Sequence, residues 1–222
     1  NSSISGSRTG GLVGWTSGYS NENDGPVKTY VTIKDCSVIN VDINATGSAA
    51  AINGHAGASD WTYTTIENCT VKDCTINSTD DGDWRTGVVV GTANVGEVTI
   101  SNITESGNTL TQTGKTAPEG FKRNYYGRAV LGTTGKLIID GNKYVAEGLH
   151  EDAEGNTIAT SVAGLRYALK EGDDVILADD MAVKSSESES NGYGKTGINM
   201  TNGGTLDGGG NDISINAWST WD

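Results

Sequence analysis

The sequence predicts an all-β fold, a β-solenoid of stacked strand-and-turn repeats with one short capping helix. Three observations lead there. Of 222 residues, 32 are Gly and only 2 are Pro, and runs of Thr, Asn, Ser and Asp are broken by short Val/Ile clusters, as in many short strands joined by turns. Two sequence elements recur at a period of a few tens of residues, the mark of stacked architecture. A single amphipathic helical stretch stands in an otherwise strand-patterned chain.

The first recurring element is a small or apolar run closing on Gly: Gly11-Leu12-Val13-Gly14, Ala51-Ile52-Asn53-Gly54, Val88-Val89-Val90-Gly91 and Ala129-Val130-Leu131-Gly132. The closing glycines are spaced by 40, 37 and 41 residues. The second element is a strand rich in β-branched residues: VTIKDCSVINVDIN from Val31, TTIENCTVKDCTIN from Thr64, VTISNITESGNTL from Val98 and a weaker KLIIDGNKY from Lys136. Aligning Ile33, Ile66 and Ile100 superposes Cys36, Cys69 and Ile103. It also superposes Ile43, Ile76 and Leu110, and the corner residues Asp35, Asn68 and Asn102. One such strand cannot bury its apolar side alone, so copies are expected to stack in register, Ile on Ile and Asx on Asx. Ile33, Cys36, Ile66, Cys69, Ile100 and Ile103 are the expected interior.

From Val145 the pattern turns polar and acidic (VAEGLHEDAEGNTIAT). The domains read as a repeat domain over 1–145, a linker over 146–160 and the helix-capped start of a second solenoid segment over 161–222. In that segment Val162, Leu165, Ala168 and Leu169 share one helical face, with Ser161 as N-cap and Gly172 as stop. A single continuous body is the alternative arrangement. Leu206-Asp207-Gly208-Gly209-Gly210-Asn211 lacks the Lys-Ser/Thr of a phosphate loop and reads as a tight corner.

A net charge of −13 leaves no basic stripe for phosphates, so nucleic acid is not an expected partner. No run reaches the roughly 18 apolar residues of a membrane span. Asn1 and Asp222 lie in patterned sequence, so flanking regions of a longer polypeptide are expected. Cys36, Cys69 and Cys74 are odd in number, form no CxxC pair and suit small buried positions; no metal site is assigned.

The GGLVG of residues 10–14 followed by TIKDCSV resembles the glycine-leucine-glycine repeats of bacterial surface proteins, among them adhesins and secreted-protease passenger regions. The resemblance covers roughly residues 4–144. It implies right-handed parallel β-helix coils and an extracellular, cell-surface setting. The order of helix, strand and LDGGGN over about 158–216 resembles the opening of pectate-lyase-like β-helix proteins, in which an amphipathic helix covers the end of the solenoid.

Catalytic chemistry is not assigned to any residue. Asp80, Asp81 and Asp83, Asp173 with Asp174, and Asp179 with Asp180 are carboxylate groupings of the kind glycoside hydrolysis uses, but 28 acidic residues generate such groupings on any solvated face. No cofactor is expected. Asn21-Glu22-Asn23-Asp24-Gly25 is the nearest approach to a calcium loop and leaves a surface calcium open. Trp15, Trp61, Tyr63, Trp84, Tyr125 and Tyr126 lie near the Gly-terminated elements and are the candidate ligand-binding residues, as rings for stacking on sugars or on a partner protein. The expected function is a non-enzymatic surface or adhesion module taking a host or bacterial glycan or a surface protein. A polysaccharide lyase or glycoside hydrolase of the β-helix class, and a structural spacer in a cell-surface stalk, are the alternatives.

Overall fold

A computed structural model describes residues 2–21, 25–118, 121–183 and 202–215. The chain is nearly all β with one helix among the described residues, and it divides into two compact units, Asn1–Gly141 and Asn142–Asp222.

The first unit is built from five parallel sheets, visited in turn. Sheet one holds Ser2–Gly6, Val41–Ala45, Thr75–Ser78 and Thr109–Gln112. Sheet two holds Thr9–Gly10, Ala49–Ala50 and Thr86–Gly87, and sheet three Val13–Trp15, Asn53–Ala56, Val90–Ala93 and Tyr126–Ala129. Sheet four contains Thr29–Lys34, Thr62–Glu67, Glu97–Ser101 and Lys136–Ile139, and sheet five Ser37–Ile39, Thr70–Lys72 and Thr104–Ser106. The chain passes through all five sheets three times and begins a fourth pass, each strand parallel to its counterpart of the previous pass.

The register follows the expected alignment. Ile66 pairs with Ile33 and Ile100, and Ile76 with Ile43 and Leu110. Ile43, Ile66, Ile76 and Ile100 are fully buried, with Val71, Val88, Val89 and Leu137 around them. Asp35, Asn68 and Asn102 occupy the left-handed backbone region at φ 54°, 54° and 51°. Asn and Asp tolerate that region best among residues with a side chain. The corner shifts strand parity, so Val38 is buried while Ser37 faces out. Asn102 Nδ2 donates to Asn68 Oδ1 at 2.7 Å, and Asp140 Oδ1 accepts from the Asn102 amide at 3.0 Å. Asp140 takes the same corner conformation, at φ 49°.

Of the six expected interior residues, Ile33, Cys69, Ile66 and Ile100 are buried, whereas Cys36 and Ile103 are half-buried. Sheet five explains the difference. It has only three strands, so Cys69 precedes the middle one and is covered on both sides, while Cys36 and Ile103 precede the outer two. All three thiols are free.

The fourth Gly-terminated element is displaced from the expected one. Val90 pairs with Tyr126 and Thr92 with Arg128, which places Gly127 in the column of Gly14, Gly54 and Gly91, and leaves Ala129-Val130-Leu131-Gly132 beyond it. Backbone proximity selects the glycine: a Cβ on Gly127 would stand 2.2 Å from the Gly91 carbonyl oxygen, and one on Gly91 would stand 2.5 Å from that of Gly54.

In the second unit, Asn142–Ala146, Leu149–Glu151 and Thr157–Ala159 form an antiparallel meander, so the stretch 146–160 read as a linker carries strands. Thr157–Ala159 then pairs in parallel with Val175–Leu177, and that strand with Leu206–Asp207. Between the first two lies the helix Val162–Glu171. Ser161 caps it, accepting from the Gly164 amide at 3.1 Å, and Gly172 ends it at φ 90°. Leu165, Ala168 and Leu169 are fully buried against Leu149, Ala159, Val175, Leu177 and Met181. Gly209 and Gly210 turn the LDGGGN corner at φ 57° and 91°, and Asn211 Nδ2 ties it to the Leu177 carbonyl at 3.0 Å.

Ile66→Ala is expected to destabilise the protein by about 2 to 5 kcal/mol in denaturant unfolding, since the site is closed on every side; a loss under about 1 kcal/mol would contradict that closure. Leu165→Asp places a charge in the core of the second unit and is expected to expose apolar surface, read as dye binding and a lowered melting temperature.

Candidate functional site

The candidate site is a cleft of about 280 Å³ in the first unit. One wall comes from sheet three, where Trp15, His55, Thr92 and Arg128 pair side by side in one column. Each directly follows a glycine of the close-packed column, Gly14, Gly54, Gly91 or Gly127. His55, Thr92 and Arg128 line the cleft; Trp15 flanks it, its ring 6.0 Å from that of His55. The other wall is made by turns leading from sheet one to sheet two: Ser7-Arg8, then Thr46-Gly47-Ser48, then the TDDGDW loop with Asp80 and Arg85.

Three arginines, Arg8, Arg85 and Arg128, therefore line one cleft. Arg8 is exposed, lies 4.5 Å over the Trp15 ring and makes no ion pair among the described residues. Arg85 holds Asp80 at 3.2 Å, while its Nε is buried without a hydrogen-bond partner among the described residues. Arg128 holds Asp83 at 2.8 Å. Ser48 Oγ and Thr92 Oγ1 are hydrogen-bonded at 2.7 Å, and His55 Nε2 lies 3.2 Å from Asn94 Nδ2. Burial, reinforced by the charges of Arg8 and Arg85, pushes the His55 pKa down from 6.5 to about 4. His55 is thus a neutral imidazole at pH 7, and its Nδ1 is buried with no hydrogen-bond partner among the described residues.

A second feature lies on the outer face of sheet four. Tyr30 and Tyr63 are register partners, and their rings stack with centroids 5.0 Å apart at 18°. Lys28 Nζ stands 5.8 Å from the Tyr63 ring. Tyr30 is 69% exposed. Beyond them in the same outward rows come Glu97 paired with Lys136, the Thr32-Thr65-Thr99 column, and Lys34 paired with Glu67 at 3.2 Å.

The six aromatic residues singled out from sequence divide accordingly. Trp15 and Trp61 are exposed, at 55% and 37%, and Tyr63 is half-buried in the stacked pair. Trp84, Tyr125 and Tyr126 are buried and serve the loops. Trp84 Nε1 donates to the Thr86 carbonyl at 2.6 Å, the Tyr125 hydroxyl to that of Ile103 at 3.2 Å, and Arg123 stacks on Tyr126. Asn21 and Gly25 of the candidate calcium loop are described; Glu22, Asn23 and Asp24 lie outside the described residues.

Four of the seven carboxylates considered for catalysis, Asp80, Asp83, Asp174 and Asp180, hold structural bonds. Besides Asp80 and Asp83 with their arginines, Asp174 Oδ1 accepts from the Thr205 amide and hydroxyl, and Asp180 Oδ1 from the Asp212 amide. No protein-family model, no curated protein and no solved structure matches the chain.

Sequence reasoning missed Arg8 and Arg85, which share the position just before the sheet-two strand, because Ser48 interrupts that column in the second pass and the turns before it differ in length; Arg128 lies in a different column. A local signal existed in the residue after each close-packed glycine, but placing the fourth glycine at 132 hid Arg128. His55 is expected to titrate near 4 by imidazole NMR, against 6.5 for the unfolded chain. Protons then bind the unfolded chain first, so stability is lost as pH falls from 6.5 towards 4 and is unaffected by this group at higher pH. His55→Gln should flatten that part of the pH profile; an imidazole midpoint at or above 6.5 would contradict the assignment.

Proposed function

We propose that the chain is a non-enzymatic module of a bacterial cell surface, adhesive in role, whose sheets wind as a right-handed parallel β-helix and whose outer faces bind glycans. The handedness is supported by the general rule that parallel strand-crossover-strand connections are right-handed in about 98% of cases. The extracellular setting rests on the resemblance of the GGLVG and TIKDCSV repeats to surface proteins.

The observation that carries the binding role is the stacked Tyr30 and Tyr63 pair on the outer face of sheet four. Aromatic faces held rigid on a sheet offer apolar area to sugar rings at little entropic cost, and Lys28 and the neighbouring Thr column supply hydrogen-bonding groups. Engagement of Asp80, Asp83, Asp174 and Asp180 in structural bonds supports the non-enzymatic half of the reading. A general acid or base needs a carboxyl group free to exchange a proton with substrate.

The test is a glycan array spanning neutral and acidic oligosaccharides, followed by titration calorimetry on the hits. Binding of neutral glycans is expected, weakened about tenfold by Tyr63→Ala with folding retained. Absence of any glycan binding, or equal binding by the variant, would sink the reading. Incubation with polygalacturonate or alginate, with and without calcium, is expected to release no unsaturated oligosaccharides; calcium-dependent release would favour a lyase instead.

A further inference from the structure

We infer that the cleft of Arg8, Arg85 and Arg128 is a subsite for one singly charged group on a sugar, a carboxylate or a sulphate ester. The inference rests on the glycan-binding reading above and names the chemistry of a place distinct from the Tyr30 and Tyr63 face.

The charge count sets the ligand's charge. The three arginines bring three positive charges; Asp80 on Arg85 and Asp83 on Arg128 remove two, leaving one positive charge in a chain of net −13. His55 adds none, being neutral at pH 7. A monoanion is balanced there, whereas a phosphate dianion would be left with an excess negative charge. Arg8 is the guanidinium without an ion pair among the described residues, and its planar fork suits two oxygens of one anionic group.

The remaining lining suits a sugar better than an acidic peptide. Ser48, Thr92, Thr46 and Asn94 are small polar groups of the kind that bond ring hydroxyls, and Trp15 flanks the cleft with its ring half-exposed. The volume of about 280 Å³ lies just below the range of about 300 to 1,000 Å³ usual for small-molecule sites, which fits a single acidic residue of a longer glycan.

The experiment titrates the full chain with sialyllactose against lactose, a galacturonate trimer against its methyl ester, galactose 6-sulphate against galactose, inorganic phosphate, and hexaglutamate. The acidic sugars are expected to bind about tenfold more tightly than their neutral counterparts. The preference is expected to shrink as salt rises from about 50 to about 200 mM. Preference within the acidic sugars tells carboxylate from sulphate ester. Arg8→Ala, at an exposed position, is expected to remove the preference for charge with an unchanged melting temperature; Arg85→Gln is expected to remove it as well, with a lowered melting temperature because Asp80 loses its ion pair; Tyr63→Ala leaves the preference intact. Equal binding of charged and neutral members, tighter binding of phosphate or hexaglutamate, or indifference to both arginine variants would overturn the inference. If neutral glycans bind and acidic ones show no preference, the inference alone falls. If no glycan of either kind binds, the underlying reading falls with it.

Discussion

Each buried side chain of the central pass through residues 1–141 is held in place by its counterparts one pass away. Parallel pairing in register is the constraint behind this: because Ile66 lies between Ile33 and Ile100, a slip of one residue would turn the whole column outward. Two local devices protect the register. Asx residues in the left-handed region set the corner at the same point of each pass, and the glycine column lets backbones approach where no Cβ fits. Both act through backbone geometry, so they hold even where the apolar columns vary in composition.

That division explains what could be read from the sequence. The Ile columns, the Asx corner and the capped helix were legible because each is a pattern of residue types at fixed spacing. Ser161, the Leu165 and Leu169 stripe and Gly172 sit where the caps and period place them. The fourth glycine was not legible, since Gly127 and Gly132 are equally plausible by spacing and only the approach of the Gly91 carbonyl separates them. The strands within 146–160 were hidden for a different reason: they are short and antiparallel, and their polar composition resembles that of a connecting loop.

The cleft was illegible in another sense. Bulk charge is a sum over the surface, whereas a ligand samples the field within a few ångströms. Arg8 comes from a turn of the first pass, Arg85 from the loop of the third and Arg128 from a strand of the fourth. Only stacking brings them together, and no window of sequence contains them. The same stacking put Trp84, Tyr125 and Tyr126 inside, where nearness in sequence to the repeat had placed them with the exposed aromatics.

The turns from sheet one to sheet two differ in length from pass to pass, and the first pass carries an extra hairpin of Tyr19–Asn21 and Gly25–Val27 ahead of sheet four. Neither disturbs the pairing of the strands that follow. Scaffold and decoration are therefore separable: one of these loops can be lengthened, recharged or exchanged, presenting a new face to the surroundings, while the strands beneath keep their pairing.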